Sequence, residues 1–116
     1  MDEVFESVAR YFSMLSEPVR LRILHVLCHR ESSVGEIVVA AGLTQTNVSR
    51  HLNLMYQTGV VKRRREGSSI IYSVADASLT DMCRTVCIRV STELERSHQL
   101  KRSVNGLIDE LRGAGR

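Results

Sequence analysis

The segment Leu43-Thr44-Gln45-Thr46-Asn47-Val48-Ser49-Arg50-His51-Leu52 carries two patterns at once. Val48, Leu52 and, one turn on, Met55 repeat at i, i+4, i+7, the spacing of one buried helix face. From Thr44 onward the other side chains, Thr44, Gln45, Thr46, Asn47, Ser49, Arg50 and His51, are all polar and can hydrogen-bond. Thr44 suits an N-cap, and Gly59 suits the stop after the helix. No Asp or Glu stands between Leu43 and Arg65, although solvated helix faces ordinarily mix both signs of charge. An outer face without carboxylates fits a polyanionic partner.

Immediately upstream, Val34 to Ala41 reads as a short helix that Ser33 caps. Ser33 and Glu36 are spaced as a capping box, and Gly42 is a C-terminal stop. Two helices joined by so short a glycine turn form a helix-turn-helix, whose second helix presents its N-terminal residues to a major groove. Gln and Asn match adenine, Arg matches guanine, and Ser or Thr match phosphates or either base type.

Downstream, Val60-Val61-Lys62-Arg63-Arg64-Arg65 and Ser69-Ile70-Ile71-Tyr72-Ser73-Val74 flank Glu66-Gly67-Ser68, which predicts a β-hairpin. Lys62, Arg63, Arg64 and Arg65 make it a basic wing able to follow a phosphate backbone or probe a minor groove. The net charge of the chain is +3. Between Thr44 and Tyr72, five basic residues face one acid, giving +4, and the rest of the chain carries −1. The excess positive charge is therefore confined to the segment that the helix and wing occupy, as expected of a phosphate-binding surface.

Toward the N-terminus, Val4, Val8, Phe12 and Leu15 mark a first helix. Ser16 is the expected cap of a second, over about 17–29, with Pro18 in its first turn. After the hairpin, Asp76 to Ser78 cap a last helix. Its apolar stripe runs through Leu79, Cys83, Val86, Val90, Leu94, Ser97, Leu100, Val104, Leu107 and Leu111. Roughly 34 helical residues span about 50 Å, more than so small a body covers, and a second copy of the same helix is the economical partner. The expected architecture is mainly α with a small β-hairpin: one winged helix-turn-helix and dimerisation domain over 1–112, with a frayed tail over 113–116.

Composition agrees. With 116 residues, 43% hydrophobic, 25% charged and 4% aromatic, the chain is globular and its core aliphatic. No apolar run reaches membrane-spanning length and the start Met1-Asp2-Glu3 is unlike a signal peptide, so a cytoplasmic location is expected, without membrane. Three cysteines do not make a disulfide framework. No Cys/His arrangement with an orienting group is visible, which argues against an enzyme. A winged-helix protein–protein module that never touches DNA is the alternative, and the charge map weighs against it.

Ser16-Glu17-Pro18-Val19-Arg20-Leu21-Arg22-Ile23-Leu24, Ser33-Val34-Gly35-Glu36-Ile37, the segment Leu43 to Leu52, and Gly59-Val60-Val61 with the Arg-rich hairpin ending in Ile71-Tyr72 together resemble the ArsR/SmtB type of winged-helix repressor. The resemblance covers about residues 5–95. It implies a homodimer held by its first and last helices, a double-stranded DNA operator of two-fold symmetry, and repression relieved when an inducer is sensed.

Cys28, Cys83 and Cys87 are the candidate sensors. Cys83 and Cys87 share a helix face at i, i+4, and the resemblance implies that the second helix, with Cys28, packs near the last one. Three thiolates suit As(III) or a soft metal ion. Cys28 with either of the others suits a disulfide or polysulfide bridge. Plain packing of small, soft side chains is the third reading. The family's zinc-type pattern is not met: eleven and fourteen residues beyond Cys83 stand Leu94 and Ser97, with His98 one residue out of register. The helix-two cysteine of its sulfur-sensing members falls where His25 stands.

Overall fold

The computed structural model describes residues 1–114. Its elements in chain order are α1 (Asp2–Met14), α2 (Pro18–His29), β1 (Ser32–Ser33), α3 (Val34–Ala41), α4 (Gln45–Thr58), β2 (Val61–Glu66), β3 (Ser69–Val74) and α5 (Ala77–Ala114). Residues 1–80 pack as one unit, and the described residues from Asp81 on, 81–114, as another.

The helix boundaries follow from local hydrogen bonding. Ser33 Oγ accepts from the Glu36 amide at 3.2 Å while the Glu36 carboxylate accepts from the Ser33 amide at 3.0 Å, so the predicted capping box of α3 is formed. These bonds to Ser33, the backbone one first, hold the Glu36 carboxyl below the ordinary carboxylate range. Thr44 caps α4 by accepting from the Asn47 amide at 3.2 Å. Ser16 is not the cap of α2: its hydroxyl donates to the Ser13 carbonyl at 2.7 Å. Glu17 takes that place, accepting from the Arg20 amide at 3.0 Å with Pro18 at the first helical position. The longer carboxylate side chain reaches the orphan amide while Ser16 satisfies the end of α1.

The hairpin is antiparallel, pairing Val61 with Val74 through Glu66 with Ser69. A third, two-residue strand joins it. Ser32 and Ser33 pair with Tyr72 and Ile71, giving the sheet order β1-β3-β2. Sequence pattern treats Glu31-Ser32-Ser33 only as a break, because two residues carry no readable period. The Ser32 side chain is nonetheless buried and donates to the Arg30 carbonyl at 3.1 Å.

One core joins α2 through the start of α5. Ile23, Leu24 and Leu27 of α2, Ile37 of α3, and Val48, Leu52 and Met55 of α4 meet Val60, Val61, Tyr72 and Leu79, all buried. Leu79, read from sequence as the start of the last helix's interface stripe, instead belongs to this core. No residue of α1 is buried, and Val4, Phe5, Val8 and Phe12 are exposed. In α5, Val86, Val90, Leu94, Leu100, Val104, Leu107 and Leu111 are likewise exposed. At 38 residues α5 spans about 57 Å. It runs through Gly113 and Ala114, and Gly115 and Arg116 lie outside the described residues.

Gly59 ends α4 with φ +85°, and a Cβ built there meets nothing within 4 Å. Gly59→Ala is therefore expected to cost about 1 kcal/mol from backbone strain alone. Chemical denaturation measures this, and an unchanged midpoint would mean that the α4–β2 junction relaxes freely.

Candidate nucleic-acid interface

The seating of α4 sorts its side chains. Val48, Leu52 and Met55 have no solvent exposure at all, which fixes the rotation of the helix about its axis. Gln45, Thr46 and Arg50 then stand exposed, and Asn47 and Ser49 half-buried. Thr44 is exposed, with its oxygen already accepting the capping bond. Arg50 has no hydrogen-bond or ion-pair partner among the described residues, so its guanidinium is available to an external acceptor.

His51 departs from the expected outward face. It is 7% exposed, lies next to Leu52 on the inner side of α4, and has its Nδ1 at 3.4 Å from Nη1 of Arg20 on α2. Burial lowers its pKa below the ordinary histidine value; Glu17 opposes that shift, and the charges of Arg50 and Arg20 add to it. The ring is thus part of the scaffold behind the helix. A period of 3.6 residues places position 51 beside both faces, and the sequence pattern cannot say to which the ring turns.

The wing also divides its charges. Arg64 donates from Nη1 to Glu31 Oε2 at 2.7 Å and from Nη2 to Glu31 Oε1 at 2.8 Å, a bidentate fork, and also to Glu66 Oε2 at 2.8 Å. The hydrogen bond from Arg64 draws the Glu31 carboxyl below its ordinary range. Glu31 precedes β1, so this clasp reaches across the sheet and braces the hairpin against the α2–α3 connection. Arg63 faces its cross-strand partner Tyr72 and stacks over the Tyr56 ring of α4 at 3.8 Å. Arg65 has no hydrogen-bond or ion-pair partner among the described residues. Lys62 is exposed, and its charge adds to the bonds from Ser78 that hold the Asp76 carboxyl below its ordinary range. Arg20, Glu31 and Tyr56 are the participants that sequence analysis missed, because each acts through a partner distant in the chain or one helix away.

Cys28 is half-buried on α2, its thiol 3.6 Å from the Thr80 hydroxyl. On α5, Cys83 is half-buried and Cys87 exposed. Among the described residues, no group of three or more His, Cys, Asp or Glu side chains is gathered closely enough to hold a metal ion. No helix of the described residues is long and apolar enough to cross a membrane.

Comparison with known proteins agrees with this architecture. The family model described as "Bacterial regulatory protein, arsR family" matches residues 17–63, from the cap of α2 into the wing. An HTH-type transcriptional regulator of Mycobacterium tuberculosis is 36% identical over 96 residues, covering 79% of this chain and 84% of that one. A "probable mercury resistance operon repressor" of Streptomyces lividans is 36% identical over 77 residues, covering 66% and 62%. Among solved structures, the homodimeric winged helix-turn-helix DNA-binding domain of a Mycobacterium bovis protein superposes with a TM-score of 0.74 at 29% identity, over 82% of this chain and 88% of that one.

Proposed function

The chain belongs to the arsR family of bacterial regulatory proteins, and from that premise we propose that it is a cytoplasmic, homodimeric, non-enzymatic repressor that reads a two-fold symmetric DNA operator. The observation that carries this reading is the outer face of α4. Gln45, Thr46 and Arg50 stand exposed on a helix whose rotation the core fixes, in a segment without a single carboxylate from Leu43 to Arg65. In this reading the first turns of α4 enter the major groove. Arg50 is the guanine-type contact and Gln45 the adenine-type contact. Lys62, Arg63 and Arg65 of the wing neutralise phosphates, while Arg64 shapes the wing. The exposed apolar residues of α1 and of α5 are the surfaces that a second copy covers, and the homodimeric M. bovis domain supports that assignment.

Repression is relieved, in this proposal, through the thiols of Cys83 and Cys87. They stand one turn apart on α5, and Cys87 is exposed. A soft, thiophilic ion fits such a pair, and the relationship to the Streptomyces protein favours that chemistry over plain packing. Cys28, half-buried with its thiol at Thr80, is the candidate for a further ligand or a bridging partner.

The test of the function is duplex binding as a function of salt, using a site selected from a random pool. Arg50→Ala and Gln45→Ala are each expected to weaken that site by about 1–3 kcal/mol and to relax its sequence preference. Arg65→Ala should flatten the slope of log affinity against log salt by about one. Glu31→Ala, which removes an acid and releases Arg64, should steepen it by a similar amount. Salt-independent binding, or Arg50→Ala at wild-type affinity, contradicts the assignment. For the thiols, Hg(II) or a polysulfide is expected to release the DNA from the wild type and not from Cys83→Ser or Cys87→Ser; equal release from the triple Cys→Ser variant would return the cysteines to packing.

A further inference from the structure

Arg20 joins three helices at one point. Its Nε donates to the Met14 carbonyl at 2.7 Å and its Nη2 to the Ser13 carbonyl at 3.4 Å, both at the C-terminal end of α1. A guanidinium there satisfies carbonyls that the helix leaves without partners and meets the negative end of its dipole. Its backbone amide donates to Glu17, closing the first turn of α2. The remaining arm, Nη1, points to Nδ1 of His51, 31 residues later on α4. An arginine presents donors only, so Nδ1 of His51 must be the acceptor and the ring must be neutral with its proton on Nε2.

We infer that Arg20 and His51 form a latch that sets the pose of α4 against α1 and α2, and that protonating His51 opens it and weakens DNA binding. The inference rests on the DNA-binding reading above and adds positioning residues, neither of which touches DNA. Protonation puts an N–H where the latch needs a lone pair and sets two cations 3.4 Å apart. The charges acting on the ring are Glu17 and Arg20 at the start of α2 and Arg50 on α4 itself. From α1 the Ser13 and Met14 carbonyls enter the network, and among the described residues the charges on the ring come from α2, its cap and α4, not from α3 or β2, which also pack on α4. Glu17 favours the cation, against two arginines and burial.

The sign of the pH effect separates this latch from simple electrostatics. Titrating histidines add positive charge as pH falls, so phosphate attraction alone strengthens binding in acid. The latch weakens it. Because burial lowers the pKa of His51 in the folded state, the stability it contributes is present above the ordinary histidine value, near 6.5, and is lost as pH falls below that value toward the lowered one.

The experiment measures affinity for the selected duplex, at constant ionic strength, from pH 8 to pH 5.5, with thermal unfolding followed on the same samples without DNA. Wild type is expected to lose about tenfold in affinity across that range, and its melting temperature to fall in the same window. His51→Asn places a carbonyl oxygen near the position of Nδ1 and does not titrate; its affinity should stay level or rise in acid, with a flatter melting profile. Arg20→Lys keeps the charge but loses the fork, and should weaken binding already at pH 8. Wild-type affinity that holds or rises in acid overturns the inference, as does an equal fall in His51→Asn. If no variant binds DNA at any pH, the functional reading fails, and the melting profiles of wild type and His51→Asn still decide the latch: parallel profiles overturn it.

Discussion

The rotation of α4 is the constraint on which the rest depends. Three side chains at i, i+4, i+7, Val48, Leu52 and Met55, are entirely withdrawn from solvent. Turning the helix by even one position would expose at least one of them and bury a polar neighbour, at a cost of a few kcal/mol in lost burial and unmet hydrogen bonds. The outward direction of Gln45, Thr46 and Arg50 is therefore a consequence of packing. The caps fix the other coordinates: Thr44 determines where the helix starts, and the left-handed Gly59 determines where the chain turns into the wing.

The wing is built on the same logic of separate duties. Arg64 is consumed by a bidentate pair with Glu31 and a contact to Glu66, and Arg63 lies against Tyr56 of α4. Both interactions orient the hairpin relative to α3 and α4. Their partners are solvent-exposed, so their worth lies more in direction than in stability. Lys62, Arg65 and Arg50 keep exposed charges without such a partner. A run of four basic residues in sequence thus becomes two side chains with a tertiary partner and two without.

Much of this is legible from residues alone, since it rests on local chemistry. The helix periods, the Ser33–Glu36 capping box, the Thr44 cap, the glycine stops and the Gly67 turn all act within four residues, and each stands where sequence pattern places it. What escapes is set by tertiary partners. Two-residue β1 exists because β3 offers it a ladder. Ser16 loses the α2 cap to Glu17 because the end of α1 takes its hydroxyl. His51 turns inward because Arg20, 31 residues away, provides a donor, and Arg64 turns to Glu31, 33 residues away. Sequence pattern thus locates the face expected to read DNA as a stretch of helix, and the fold decides which side chains belong to it. The cysteines remain the least legible feature, because thiols in helices pack and sense with the same spacing.

The most direct measurement of the central claim is the amide chemical-shift perturbation of the isotope-labelled protein on adding its selected duplex. The largest shifts are expected at residues 44–50 and 62–67, with the outer half of α5 little changed. Shifts concentrated on α5 or on the exposed face of α1, with the segment from Thr44 to Arg50 unmoved, would contradict it and make this winged helix an assembly module.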